Sequence, residues 1–115
     1  MNPVTNINGA EYELSTKLMV AYKVQGYNNH KPYTEVFQSI GDMTIEKQIE
    51  ILYAAFQVAN PEVAKEITQK VFFEYYMNNY NLKQMMSQLQ DVIKGVLGED
   101  DDAEGSDEDA ASEGN

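Results

Sequence analysis

The chain has 115 residues, room for one ordinary domain and too short for a multidomain enzyme. Its eight basic residues are all Lys and stand against nineteen Asp and Glu, a formal charge of -11. Without Arg there is no forked guanidinium for base edges or bidentate phosphate recognition, so direct nucleic-acid binding is disfavoured. Without Cys, disulfide scaffolds, thiolate nucleophiles and cysteine-based zinc patterns are excluded.

The charge is unevenly placed. Nine carboxylates (Glu99, Asp100, Asp101, Asp102, Glu104, Asp107, Glu108, Asp109, Glu113) follow Gly98, where there is no Lys. Met1 to Gly98 carries eight Lys against ten acids, a net charge of -2. The composition therefore divides the chain into a near-neutral domain at 1–98 and an acidic tail at 99–115. The domain is expected to bury about 60 to 65% of its unfolded surface, enough for one modest core. No run approaches the roughly 18 apolar residues of a membrane span. The opening MNPVTNING lacks the basic and apolar regions of a signal peptide, so an intracellular protein without membrane contact is the expectation.

Val4 to Leu14 reads as two short alternating runs about Asn8-Gly9, a pair that supplies the positive φ angles of a two-residue hairpin turn. Ile7, Tyr12 and Leu14 are expected to face a core, with Glu11 and Glu13 opposite. Ser15 and Thr16 are candidate caps for a short helix over Lys17 to Gln25, with Leu18, Ala21, Tyr22 and Gln25 on the inward face and Gly26 as its stop. Tyr33, Val36, Phe37 and Ile40 then predict a second short helix that begins at Pro32.

Asp42 or Thr44 is expected to cap a third helix carrying Ile45, Ile49, Leu52, Tyr53 and Phe56 at helical spacing, ending at Asn60-Pro61. A fourth is expected to start from Asn60 and run to about Asn79, with Val63, Ile67, Val71 and Tyr75 inward. The cluster Tyr76 to Asn81 predicts a break, and Asn81 with Gln84 resembles a capping box for the last helix. That helix has the strongest pattern in the chain: Leu82, Met85, Met86, Leu89, Val92, Ile93, Val96 and Leu97 form one apolar stripe over two heptads, closed by Gly98. The fold class is thus mainly α, a small N-terminal β-hairpin followed by about five amphipathic helices. The acidic tail has only Ala as an apolar side chain and is expected to be disordered.

Chemistry-bearing constellations are sparse. His30 is the sole histidine, in a loop of Asn and Lys with no orienting carboxylate implied. Asp100, Asp102, Glu104 and Gly105 match the first, third, fifth and sixth positions of a calcium loop. The twelfth position is Ala111, so the closing bidentate carboxylate is missing and no metal is expected. Glu46 with Glu50 and Glu62 with Glu66 are expected on solvated helix faces as ordinary acids. No phosphate-cradling, nucleophile-elbow or metalloprotease motif occurs. No catalytic residue, cofactor or enzymatic activity is expected.

Eight Tyr and six Met direct attention to surfaces instead. Tyr75, Tyr76, Met77 and Tyr80 cannot all face one interior, so core and interface remain open alternatives for this cluster. The stripe of the last helix poses the same choice. The candidate partner-binding set is therefore Tyr76, Met77, Tyr80, Leu82, Met85, Met86, Leu89, Val92, Ile93 and Val96.

The order of features resembles that of the tail assembly chaperones of long-tailed, siphovirus-type bacteriophages, over roughly Ile7 to Gly98. The residues that carry the likeness are Asn8-Gly9-x-Glu11-Tyr12-Glu13-Leu14 and the helix Leu52-Tyr53-Ala54-Ala55-Phe56 leading into Ala59-Asn60-Pro61-Glu62. The resemblance implies a mostly helical, non-enzymatic protein of the host cell cytoplasm. Such a protein escorts the tape measure protein while tail tube protein polymerises around it, and is absent from the mature virion. It also implies that a longer, frameshifted form can accompany the short one. Self-association into a homo-oligomer stays open. Two other classes compete: an acidic DNA mimic that inhibits a host nucleic-acid-binding protein, and a structural component of the virion. A mimic needs carboxylates ordered like phosphates, and nearly half of them lie in the tail.

Overall fold

The computed structural model describes residues 2–99. Strands β1 (Val4–Ile7) and β2 (Ala10–Glu13) pair antiparallel, with Val4 opposite Glu13 and Ile7 opposite Ala10. Asn8 and Gly9 turn the chain at φ 55° and 87°, the consecutive left-handed pair that a primed two-residue turn demands. Asn6 Oδ1 accepts the Gly9 N–H at 3.1 Å and braces the turn. Ile7 and Leu14 are buried and Tyr12 is half-buried, edge-on to Phe56, as the alternation predicts.

Helix α1 (Leu18–Tyr27) corrects the sequence-based expectation about its inward face. Val20, Ala21 and Val24 are buried, while Leu18 and Tyr22 are 77% and 70% exposed. The helix has two apolar arcs, so periodicity cannot choose between them. The compact β-branched arc packs against a helical neighbour, whereas burying Tyr22 would require a partner for its hydroxyl. Gly26 lies inside the helix and does not end it. The chain turns away at Asn29 and His30, both at positive φ, with the His30 N–H donating to the Gln25 carbonyl at 2.7 Å.

Helix α2 (Tyr33–Gln38) follows Pro32 and runs into a 3-10 turn at Ile40–Asp42, burying Val36, Phe37 and Ile40. Helix α3 (Ile45–Ala59) is the centre of the molecule. Thr44 caps it by accepting the Lys47 N–H at 3.2 Å, and Ile49, Ile51, Leu52, Tyr53, Ala54, Ala55 and Phe56 are all buried. Burial around most of its circumference follows from its neighbours, since α1 and two later helices surround it. Ile45 was expected inward but stands 46% exposed at the first turn.

The expected continuous helix from Asn60 to Asn79 is broken. Val63–Lys65 forms a 3-10 turn, and α4 (Gln69–Asn79) begins afresh with Thr68 as cap. Tyr53 reaches into the gap, its hydroxyl 3.3 Å from the Ala64 carbonyl and 3.0 Å from that of Ile67. It thus satisfies acceptors that a continuous helix would have used itself. The restart changes the phase: Phe72 and Tyr76 point inward, Val71 is exposed, and Val63, Ile67 and Tyr75 are half-buried.

Helix α5 (Leu82–Leu97) starts at Asn81 with both arms of the capping box present, at 2.8 and 2.9 Å. It ends at Gly98, left-handed at φ 79°. Hairpin and helices share one core, threaded by an aromatic series from Tyr53 through Phe56, Phe72 and Tyr76 to Tyr80. The structure is therefore mainly helical with a small N-terminal hairpin. Among the described residues no helix is long and apolar enough to cross a membrane. The tail from Asp100, including the calcium-like spacing, lies outside the described residues.

Candidate functional site

The α4–α5 corner assembles half of the candidate set. Because α4 ends at Asn79 and α5 begins at Leu82, the short link places Met77 and Leu82 on one rim. Ile45, at the start of α3, forms the facing rim. Together with Ile49, Tyr76, Tyr80, Asn81 and Met85 they line a cleft of about 170 Å³. Met77, Leu82 and Ile45 are 51%, 62% and 46% exposed, while Tyr76 and Met85 form a buried floor. No titratable group other than the two phenols lines this cleft, so its chemistry is adsorption of apolar side chains.

The rest of the set is placed differently. Leu89 and Val92 are wholly buried in the monomer, and Met86, Ile93 and Val96 are half-buried against the core. The stripe that dominates the sequence of the last helix therefore serves mainly to seat α5 on α3. Tyr76 and Met85 are likewise core residues that reach the cleft only as its floor. Ile45 and Ile49 belong to the cleft although sequence reasoning did not select them. Ile45 was assigned to the core by its period, and only the position of α4 reveals otherwise.

A polar cluster holds the corner in place. The Tyr76 hydroxyl donates to Gln88 Oε1 at 2.6 Å and lies 2.6 Å from Thr5 Oγ1. Gln88 Nε2 donates to the Val4 carbonyl at 3.3 Å, and the Tyr80 hydroxyl donates to the Asn6 carbonyl while accepting the Asn6 N–H, each at 3.0 Å. Burial pushes the Tyr76 phenol well above its ordinary pKa, with the neighbouring Tyr80 adding to the rise and the Thr5 hydrogen bond opposing it. The phenol thus stays a neutral donor through the physiological range.

Beside the cleft, and sharing Ile49 with it, a groove of about 600 Å³ is lined by Glu46, Lys47, Glu50, Gln69, Lys70 and Phe73. Glu50 does not pair with Glu46: it receives Lys47 at 3.4 Å and Gln69 at 3.3 Å. Glu62 is held by Lys65 at 3.2 Å. Burial, and then the charge of Glu50, raises the Tyr27 phenol. His30 is exposed in its loop. Among the described residues no group of three or more His, Cys, Asp or Glu is arranged to hold a metal ion. A second apolar cleft, unsuspected from the sequence, lies on α1 and α2. No protein family matches the chain, and neither a curated protein nor a solved structure is significantly similar to it.

Proposed function

We propose that this chain is a tail assembly chaperone of a long-tailed bacteriophage. It binds apolar helical stretches of the tape measure protein in the host cell cytoplasm, yields to tail tube protein as the tube polymerises, and leaves no copy in the virion. The reading assigns it no catalysis. The observation that supports it best is the cleft at the α4–α5 corner, where Met77, Leu82 and Ile45 stand exposed over an apolar floor. This joins the likeness of the Asn8–Leu14 and Leu52–Glu62 segments to the chaperone family.

The mechanism follows from the character of the contacts. An amphipathic helix can lay its apolar face into such a cleft, and thioether side chains adapt to varied partners. One small cleft binds weakly, as displacement by tube subunits requires, and several copies along a long client add their contributions. Solubility of the complex is aided by the net charge of -11.

The test is co-expression with each long neighbouring phage reading frame, followed by centrifugation and size-exclusion chromatography. A long helical partner is expected to move into the soluble fraction and co-elute. Failure to do so with every frame, together with salt-sensitive binding to a nuclease or DNA-binding enzyme, would overturn the chaperone reading in favour of the acidic mimic.

A further inference from the structure

The cleft at the α4–α5 corner does not end at Ile49. Helices α3 and α4 lie antiparallel beside it. Ile45, at the start of α3, shares the cleft with Met77 near the end of α4, whereas Glu50, further along α3, accepts Gln69 Nε2 from the first residue of α4 at 3.3 Å. Ile45 and Ile49, one turn apart, belong to the α3 wall. Lys70, Phe73 and Met77 recur at i, i+3 and i+7 and belong to the α4 wall, Lys70 and Met77 being about 10 Å apart along the helix. Cleft and groove, joined at the buried Ile49, thus form one trough long enough for two turns of a docked helix.

Four charged residues line the groove half of this trough, and two of them are already satisfied. Lys47 Nζ donates to the Tyr27 carbonyl at 3.2 Å and to Glu50 Oε1 at 3.4 Å. Glu46 and Lys70 are exposed and, among the described residues, have no ion-pair partner. Glu46 follows Ile45 at the corner end of the α3 wall, and Lys70 stands at the far end of the α4 wall. The two open charges are therefore diagonal: opposite walls, opposite ends and opposite signs. Reversing a docked helix while its apolar face stays down exchanges the groups that meet these two positions.

We propose that the α3–α4 trough fixes the chain direction of the helix it takes, an amphipathic client segment with a Lys or Arg beside Glu46 and, two turns away on the opposite flank, an Asp or Glu beside Lys70. Exposed pairs add little affinity, but reversal turns two attractions into two repulsions, so they act on direction. A second copy is disfavoured as occupant because it would bring -11 against -11. The inference rests on the chaperone reading for the client's identity and adds its charge pattern. Copies seated on successive segments of that pattern would all face the same way along the client.

The probe is a synthetic helical peptide of about five turns with a Leu stripe and a nitroxide on an N-terminal Cys. A Lys near that end lies on the flank that meets α3 when the end sits at the corner, and a Glu two turns later lies on the other flank. A twin peptide has the Lys and Glu exchanged. The protein has no Cys of its own to compete for the label. The first peptide should broaden the amide signals of Met77 and Leu82 at least twice as strongly as those of Gln69 and Lys70, and the twin should invert that ratio. The Glu46→Lys, Lys70→Glu variant, its fold checked by circular dichroism, should invert it for both peptides. Near 1 M salt, where the screening length is about 3 Å, the twins should converge.

No broadening in the trough at millimolar peptide, broadening centred instead on Leu18, Met19 and Tyr22 of the α1–α2 cleft, or a ratio indifferent to either charge exchange would overturn the proposal. Sedimentation of the protein alone supplies a further arm: dimers that the peptide separates into monomers would assign the trough to a second copy and overturn it as well. Directed peptide binding without rescue of any phage frame upholds the trough and removes only the chaperone reading. Rescue with undirected binding overturns the trough proposal alone.

Discussion

The phenol oxygen of Tyr76 lies 2.6 Å from Thr5 Oγ1, which joins the first strand to α4 across 71 residues of chain. Since the Tyr76 hydroxyl donates to Gln88 Oε1, the threonine hydroxyl donates to Tyr76. Thr5 and Tyr76 are buried and Gln88 is half-buried, so removing the phenol oxygen takes the donor from Gln88 and leaves the Thr5 hydroxyl with only the Tyr80 hydroxyl, 3.0 Å away. Tyr76→Phe should therefore cost about 1 to 3 kcal/mol while the ring stays stacked on Phe72. Urea unfolding of Tyr76→Phe, Thr5→Val and the double variant checks this. The double variant should lose less than the two singles together, because one interaction is removed twice.

The same phenol makes stability fall in alkali. Its folded pKa is raised above the ordinary value of 10.0, chiefly by burial, so the native state holds the proton more tightly than the unfolded chain. Below about pH 9 both states are protonated and this group adds no pH dependence. Above pH 10 the unfolded chain ionises first, and stability should drop by up to about 1.4 kcal/mol per pH unit for such a group. Tyr27 and Tyr53 are raised in the same direction, each mainly by desolvation. Denaturant titrations at pH 8, 10 and 11 test the slope. A flat profile, or full tyrosinate absorbance before unfolding, would contradict the burial of Tyr76.

Gly95 offers a test in which two rules oppose each other. Replacing a helical Gly by Ala ordinarily gains up to about 1 kcal/mol, and Gly95 sits in the last turn of α5. Here the added methyl group would overlap the Thr16 side chain, so Gly95→Ala should instead destabilise by about 1 to 3 kcal/mol. Thr16→Gly should recover part of that loss in the double variant. Thermal melts of the three variants decide it, and a higher midpoint for Gly95→Ala alone would mean that α5 is not seated on Thr16.

Local signals in the sequence located the parts of the fold whose causes are local. Asn8-Gly9 specified the hairpin turn, Asn81 with Gln84 the start of α5, and Gly98 its end, each through hydrogen bonds within a few residues. The misreadings arose where a distant group decides. The outward face of α1 depends on which of two apolar arcs meets α3, and the break before α4 on the Tyr53 hydroxyl arriving from eleven residues away. The candidate site divides likewise. Met77 and Leu82 were legible as large apolar residues around a break, whereas Ile45 joins them only through tertiary packing. Nothing in the sequence marks Thr5 as the partner of Tyr76, since the pair is made by the fold itself.

Two leucines of the same helix separate core from docking surface. Leu89 is fully buried, and Leu89→Asp would place an unpaired carboxylate among apolar groups, so the domain should unfold. Leu82, 62% exposed, is the first residue of α5, whose first turn has no acid. An aspartate there meets the positive end of the helix dipole and should leave stability unchanged or raise it by about 0.3 to 1 kcal/mol. Its charge nevertheless sits on the rim of the cleft. Leu82→Asp and Met77→Asp should therefore fold normally and lose at least tenfold in capture of a helical client, while Val96→Asp, half-buried against the core, should lose stability. Circular dichroism together with co-sedimentation distinguishes these fates. Normal folding of Leu89→Asp would refute the packing of α5, and undiminished client capture by Leu82→Asp and Met77→Asp would remove the α4–α5 corner as the docking site.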